Sequence, residues 1–191
     1  MTLTHYWLAA LLAISSLQAS AQTTAAAAEL PPVKTIASLD VPRYMGTWYE
    51  IAKFPNRFQA KCTANTRASY LAQADGSVQV LNSCVTADGS TIDALGLAKQ
   101  VGSATSPKLQ VRFAPVWLSW LPMVWGDYWV IDLDADYQLA AVSDAKREYL
   151  WVLSRAPQVN AKSYDALLGR LKAQHFDVQK LERTAQTTTP R

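Results

Sequence analysis

Histidine is nearly absent from this chain. There are 2 in 191 residues, His5 and His175, and His5 precedes the first apolar run. One remaining histidine cannot build a zinc cluster, and a Ser-His-Asp triad would have to be assembled around His175 alone. The expected end of a helix suits His175 better than catalysis does, because polar and cationic side chains complement that terminus. Cysteine is equally scarce: the 2 present, Cys62 and Cys84, form no C-x-x-C pair. The 7 glycines are scattered singly, which excludes a glycine-rich phosphate loop. Charged residues make up only 17%, with a net charge of +3 and no run of like sign, so nucleic acid has no electrostatic footprint here. The carboxylates Asp132 and Asp134 fall at a strand end and read as turn residues. These absences together point away from an enzyme, and neither a metal nor a cofactor is expected.

What is present begins with a leader. Trp7 to Leu17 is apolar, and Ala19-Ser20-Ala21 supplies a small-x-small cleavage pattern. The run is too short to cross a bilayer, and no Lys or Arg precedes it. Residues 1–21 are therefore expected to be a signal peptide, with the rival of a buried N-terminal helix, and the mature chain is expected to start near Gln22. No cysteine lies near the cleavage point, so a lipid-anchored form is not expected by that route. Export places the chain in the periplasm or outside the cell, with association to the outer membrane left open. In such a compartment an even cysteine count implies oxidation, so Cys62 and Cys84 are expected to be a structural disulfide. Residues 22–37, rich in Ala and Thr with two prolines, read as a flexible tether, and 184–191 as a disordered tail. The folded body is then 38–183.

Half the chain, 50%, is hydrophobic, enough for one domain with a sizeable core. Short alternating segments recur with turns between them: 47–54, 63–71, 77–85, 91–100, 108–113, 127–133, 139–143 and 149–154. Ala74-Asp75-Gly76 and Asp88-Gly89 mark hairpins. Strands in this order predict an all-β, up-and-down antiparallel barrel of eight strands, which removes sheet edges by closing on itself. From Ala161 to Gln174 the period changes: Tyr164, Leu167, Leu168 and Leu171 form one helical stripe behind an Asn160 cap. One α-helix is expected outside the barrel, with a short ninth strand within Phe176–Leu181.

Three segments carry a family resemblance. M-G-T-W-Y-E-I-A-K-F-P-N-R-F from Met45 contains Gly46-x-Trp48, Tyr128 to Asp134 leads into Asp136-Tyr137, and L-W-V-L-S-R ends on Arg155. Over residues 38–183 the chain resembles the lipocalins, in particular the bacterial group and the related apolipoprotein D and bilin-binding proteins. The resemblance implies that Arg155 lies across Trp48 at the closed end, a contact of about 0.5–2 kcal/mol. Gly46, Trp48 and Arg155 are then structural. It also brings Cys62 and Cys84 together near the open mouth.

An eight-stranded barrel can hold one small ligand. The family pattern points Trp151 inward, and strand parity adds Tyr149 and Leu153, Tyr128 and Val130, and Leu109, Val111 and Phe113. Trp48 likewise puts Glu50, Ala52 and Phe54 on its side of the first strand, and a buried Glu50 would be held by structural hydrogen bonds. The segment A-P-V-W-L-S-W-L-P-M-V-W-G, from Ala114, puts Trp117, Trp120, Met123 and Trp125 in a mouth loop. Two readings stay open. The tryptophans fold inward as a cap over the ligand, or they form an exposed apolar rim for a membrane or a protein partner, which also leaves a homodimer open. The expected function is non-catalytic binding, storage or transport of hydrophobic small molecules, fatty acids or (lyso)phospholipids, in the cell envelope.

Overall fold

The computed structural model describes residues 29–187, and the barrel unit begins at Pro31. The leader, residues 22–28 of the tether and residues 188–191 of the tail lie outside the described residues. Eight antiparallel strands follow one another around the barrel: β1 Gly46–Lys53, β2 Cys62–Ala72, β3 Val78–Thr86, β4 Thr91–Gln100, β5 Lys108–Arg112, β6 Gly126–Leu133, β7 Leu139–Ser143 and β8 Leu150–Ser154. β1 pairs with both β2 and β8, which closes the sheet. A four-residue helix, α1 (Val41–Tyr44), precedes β1, capped by Asp40 accepting from the Arg43 amide. The long helix α2, Ala161–Ala173, starts at Asn160, whose side chain accepts from the Ser163 amide as its position suggested.

Strand alternation divides the apolar residues between two cores. The inner one contains Trp48, Tyr70, Val80, Leu109, Val130, Val142 and Leu153. The outer one lies under α2, where Leu167 and Leu171 meet Ile51, Ile131, Leu150 and Val152. Arg170 of α2 also donates to both oxygens of Asp132, at 2.6 and 2.9 Å. Asp132 is thus a helix anchor on the barrel's outer face rather than a turn residue. Asp134 does order the following turn, accepting from the Gln138 and Leu139 amides.

Three segments differ from the sequence expectation. Residues 31–37, assigned to the tether, lie along the barrel: Val33 is buried in the outer core, and the Ile36 amide donates to Val130 at 3.1 Å. Extended chain whose two apolar contacts, Val33 and Ile36, go to different cores shows no strand alternation to read. The expected strand in Phe176–Leu181 is a 3₁₀ turn at Val178–Lys180, capped by Asp177, while Phe176 fills the outer core. The ninth strand, β9, comes later, at Glu182–Arg183.

The segment after β9 matters most. β1 and β2 pair only where Gly46–Tyr49 faces Arg67–Tyr70. Toward the mouth they separate, and the chain's C-terminal part fills the gap. Ala52 and Lys53 pair with Arg183 and Glu182, and the Thr184 amide donates to Ile51 at 3.0 Å. The Asn65 amide of β2 donates to Ala185 at 2.8 Å, and Gln186 Nε2 bridges the Glu50 and Thr66 carbonyls at 2.8 Å each. The described part of the expected disordered tail, 184–187, is therefore a stitch that satisfies backbone groups at an open seam.

Candidate functional site

The closed end is built on Trp48. Its indole donates to the Tyr44 carbonyl at 2.9 Å, and the Arg155 guanidinium lies 4.0 Å from its ring centroid. Arg155 also donates to the carbonyls of Arg43 (2.8 Å), Thr47 (3.0 Å) and Tyr137 (3.3 Å), tying α1, β1 and the β6–β7 turn together. Gly46 has a φ of +92°, and a Cβ there would sit 3.3 Å from Arg155 Nη1, so both its backbone and its lack of a side chain serve this contact.

Above this plug, three tyrosine hydroxyls meet inside the barrel. Tyr128 Oη lies 2.9 Å from Tyr44 Oη and 2.9 Å from Tyr70 Oη. Burial pushes all three phenols up, Tyr70 to about 12, so each stays protonated. The wall around them is aliphatic: Val78, Val80, Ala98, Leu109, Val130 and Leu153. Higher up, Val111 and Trp151 face inward yet are only half-buried, and β4, which adjoins β5, carries small residues at Ala94 and Gly96. Phe113 extends this wall beyond the end of β5. Its ring occupies the place of a Gly96 side chain, since a Cβ there would be 2.7 Å from Phe113 Cδ1.

At the mouth an aromatic ladder runs Trp151, Tyr149, Phe58, with centroids 5.7 and 5.6 Å apart. Gln59 stands beneath it. Its Oε1 accepts from the Trp151 indole at 2.9 Å and from Asn56 at 2.8 Å, and its Nε2 donates to Glu50. Glu50 is 2% exposed and also accepts from Thr184 Oγ1, and burial raises its pKa above the usual carboxylate range. Phe58 and Gln59 were not singled out from sequence. Their only local signal is Asn56, whose side chain caps the 3₁₀ turn Arg57–Gln59 that presents them. Lys53, opposite Trp151 near the mouth, is held by Glu182 at 2.9 Å. The inward positions of the described strands otherwise hold no Lys or Arg.

Of the residues assigned to the ligand cavity, the structure brings Val111, Phe113, Tyr128, Val130, Tyr149 and Trp151 to the barrel interior or its mouth. It does not bring Phe54 there. A bulge after Glu50 reverses the facing of β1, so Ala52 and Phe54 turn into the outer core beside α2. Nor do the loop tryptophans cap the barrel. Trp117, Trp120 and Met123 are 73%, 76% and 85% exposed. Trp125 folds back to the outer wall, its indole donating to Ser119 at 2.8 Å and its ring beside Lys99 at 4.2 Å. Loops of short 3₁₀ turns such as Val116–Leu118 and Pro122–Val124 have no alternation from which facing can be derived. Cys62 and Cys84 are joined as a disulfide across the start of β2 and the end of β3, with Cα atoms 5.6 Å apart.

Known proteins share this architecture. A lipocalin-like domain matches residues 39–186. Temperature-induced lipocalin-1 of Arabidopsis thaliana is 40% identical over 164 residues, covering 85% of this chain and 87% of that protein. The outer membrane lipoprotein Blc of Escherichia coli (strain K12) is 33% identical over 170 residues, covering 87% and 92%. Apolipoprotein D of Mus musculus is 29% identical, covering 84% and 82%. Among solved structures, insecticyanin from the tobacco hornworm Manduca sexta superposes with a TM-score of 0.64 at 18% identity, over 84% of this chain and 87% of that one. This last likeness speaks to the fold alone. The chain belongs to the lipocalin family, whose members generally bind small hydrophobic ligands.

Proposed function

We propose that this protein is a non-catalytic carrier that stores or transports lipids, fatty acids or (lyso)phospholipids, in the bacterial cell envelope, reached through export by its leader. One observation carries this: an apolar interior, plugged below by Trp48 and Arg155 and bordered above by the half-buried Val111 and Trp151 and the aromatic ladder. An acyl chain entering from the mouth buries its methylenes at about 0.8 kcal/mol each. A charged head group stays at the rim, where Arg57 and Lys61 are exposed. The match to a bacterial outer membrane lipoprotein supports the envelope location. Mass spectrometry of organic extracts of the purified protein tests the proposal. Co-purifying acyl lipid is the expected result, and an empty barrel that also fails to take up apolar probes refutes it.

A second reading follows from Trp117, Trp120 and Met123, which stand exposed together on the β5–β6 loop. Contiguous apolar side chains at a mouth favour transient seating on a lipid surface during loading or release. Quenching of tryptophan fluorescence by lipid-embedded quenchers is expected on adding vesicles. If quenching is absent and sedimentation shows a dimer that dilution breaks, the loop serves self-association instead.

A further inference from the structure

The tyrosine triad carries one proton more than its own contacts use. Three hydroxyls bring three protons, and the two O···O contacts, Tyr44–Tyr128 and Tyr70–Tyr128, consume two of them. The described hydrogen bonds give these hydroxyls no further acceptor. Hydroxyl rotation lets the spare proton reside on any of the three, but Tyr44 and Tyr70 are buried residues while Tyr128 is half-buried, on the inner face and paired across from Leu109. An acceptor entering the barrel therefore meets the spare proton at Tyr128. With Tyr44 and Tyr70 both donating to it, Tyr128 Oη is also a stronger donor than a lone phenol, because linked hydrogen bonds polarise one another.

We propose that the barrel floor is a polar subsite for an apolar chain whose buried end carries an uncharged oxygen acceptor, a carbonyl, ester or hydroxyl, and that Tyr128 is the residue that recognises it. This rests on the carrier function proposed above and specifies the ligand end that reaches the floor. A carboxylate does not suit that position. It would lie among Val80, Leu109, Val130 and Leu153 with a neutral donor and no free cation in contact: Arg155 lies across the Trp48 ring and gives its N–H groups to the Arg43, Thr47 and Tyr137 carbonyls, and Lys53 stands near the mouth, held by Glu182. Burying an unpaired carboxylate costs several kcal/mol. Fatty acids therefore enter tail-first with the head at the rim and leave the Tyr128 proton unspent, whereas a chain with a neutral oxygen at its deep end uses it.

Displacement of an anilinonaphthalene probe from the full-length protein tests this with three chains of matched length: an alkane, its methyl ketone and the fatty acid. The ketone is expected to bind the wild type about three- to tenfold more tightly than the alkane, the range of one net hydrogen bond. In Tyr128→Phe the ratio of ketone to alkane affinity is expected to fall to about one. An isotope-edited carbonyl stretch of the wild-type-bound ketone, shifted down from its position in alkane solvent, reports the same contact without any variant. Equal binding of ketone and alkane, an unshifted stretch, or a ketone preference that survives in folded Tyr128→Phe overturns the proposal. So does a fatty acid whose ionised form loses affinity in Tyr128→Phe as much as the ketone does. Failure of all three chains to displace the probe overturns the carrier function itself, and the floor subsite with it.

Discussion

Replacing Arg155 by alanine removes four contacts at once, and the structure sets the magnitude. The guanidinium lies 4.0 Å from the Trp48 ring centroid and donates to three carbonyls at 2.8, 3.0 and 3.3 Å. The ring contact is worth about 0.5–2 kcal/mol. Hydrogen bonds from a charged donor are worth about 1.5–3 kcal/mol when buried, but Arg155 is only half-buried, so water replaces part of what is lost. A total of about 2–4 kcal/mol follows. For a domain of this size that lowers Tm by roughly 5–15 °C. Arg155→Lys keeps the charge without the planar fork and recovers only a minor part. Because these contacts lie below the tyrosine triad, relative affinities for different ligands stay unchanged. Thermal melts and probe displacement on the same samples check both halves. A Tm within a degree or so of wild type, or altered selectivity at unchanged Tm, refutes a purely structural Arg155.

The remaining predictions concern the mouth. Burial raises Glu50, so between the ordinary carboxylate pKa and its own the folded protein holds a proton that the unfolded chain has lost, and stability falls as pH rises through that window. Glu50→Gln removes this dependence. Its Tm relative to wild type is expected to climb from acid to neutral pH, and a gap that does not vary with pH counts against the assignment. Deleting residues 182–191 strips the seam of its stitch and Glu50 of its Thr184 partner, at about 1 kcal/mol per hydrogen bond lost. A lower denaturant midpoint and faster amide exchange at Asn65 are expected, and unchanged exchange there would contradict the seam. Reducing the Cys62–Cys84 disulfide, which closes a span of 22 residues, lowers stability by about 3 kcal/mol in the chain-entropy model, measured as a shift in denaturant midpoint.

Much of the candidate site was legible because it lies on regular strands. Parity placed Val111, Tyr128 and Val130 on the inner face, the family pattern placed Trp151 there, and the structure keeps all four inward. Where parity met an irregularity it failed. The extra residue after Glu50 turns Phe54 away from the interior, and a bulge of this kind has no signature in the order of apolar and polar residues. Phe58 and Gln59 escaped notice because they sit in a mouth turn, and their importance comes from partners far along the chain, Tyr149 and Trp151.

By itself the sequence determined the closed eight-strand meander, the outer helix and its cap, the Trp48–Arg155 plug and the cysteine pair. Each rests on a local period or on a short segment whose partner is implied by the family pattern. Tertiary structure alone decided the rest. It set Trp117 and Trp120 in solvent, packed Trp125 on the outer wall, laid 31–37 along the barrel, threaded 184–187 through the β1–β2 seam, and brought Tyr44, Tyr70 and Tyr128 to a common point. The physical reason is the same in each case. Side-chain alternation reports which face a strand buries, but not which distant groups must meet to satisfy a backbone amide, a buried carboxylate or a hydroxyl proton. Those pairings exist only once the barrel has closed.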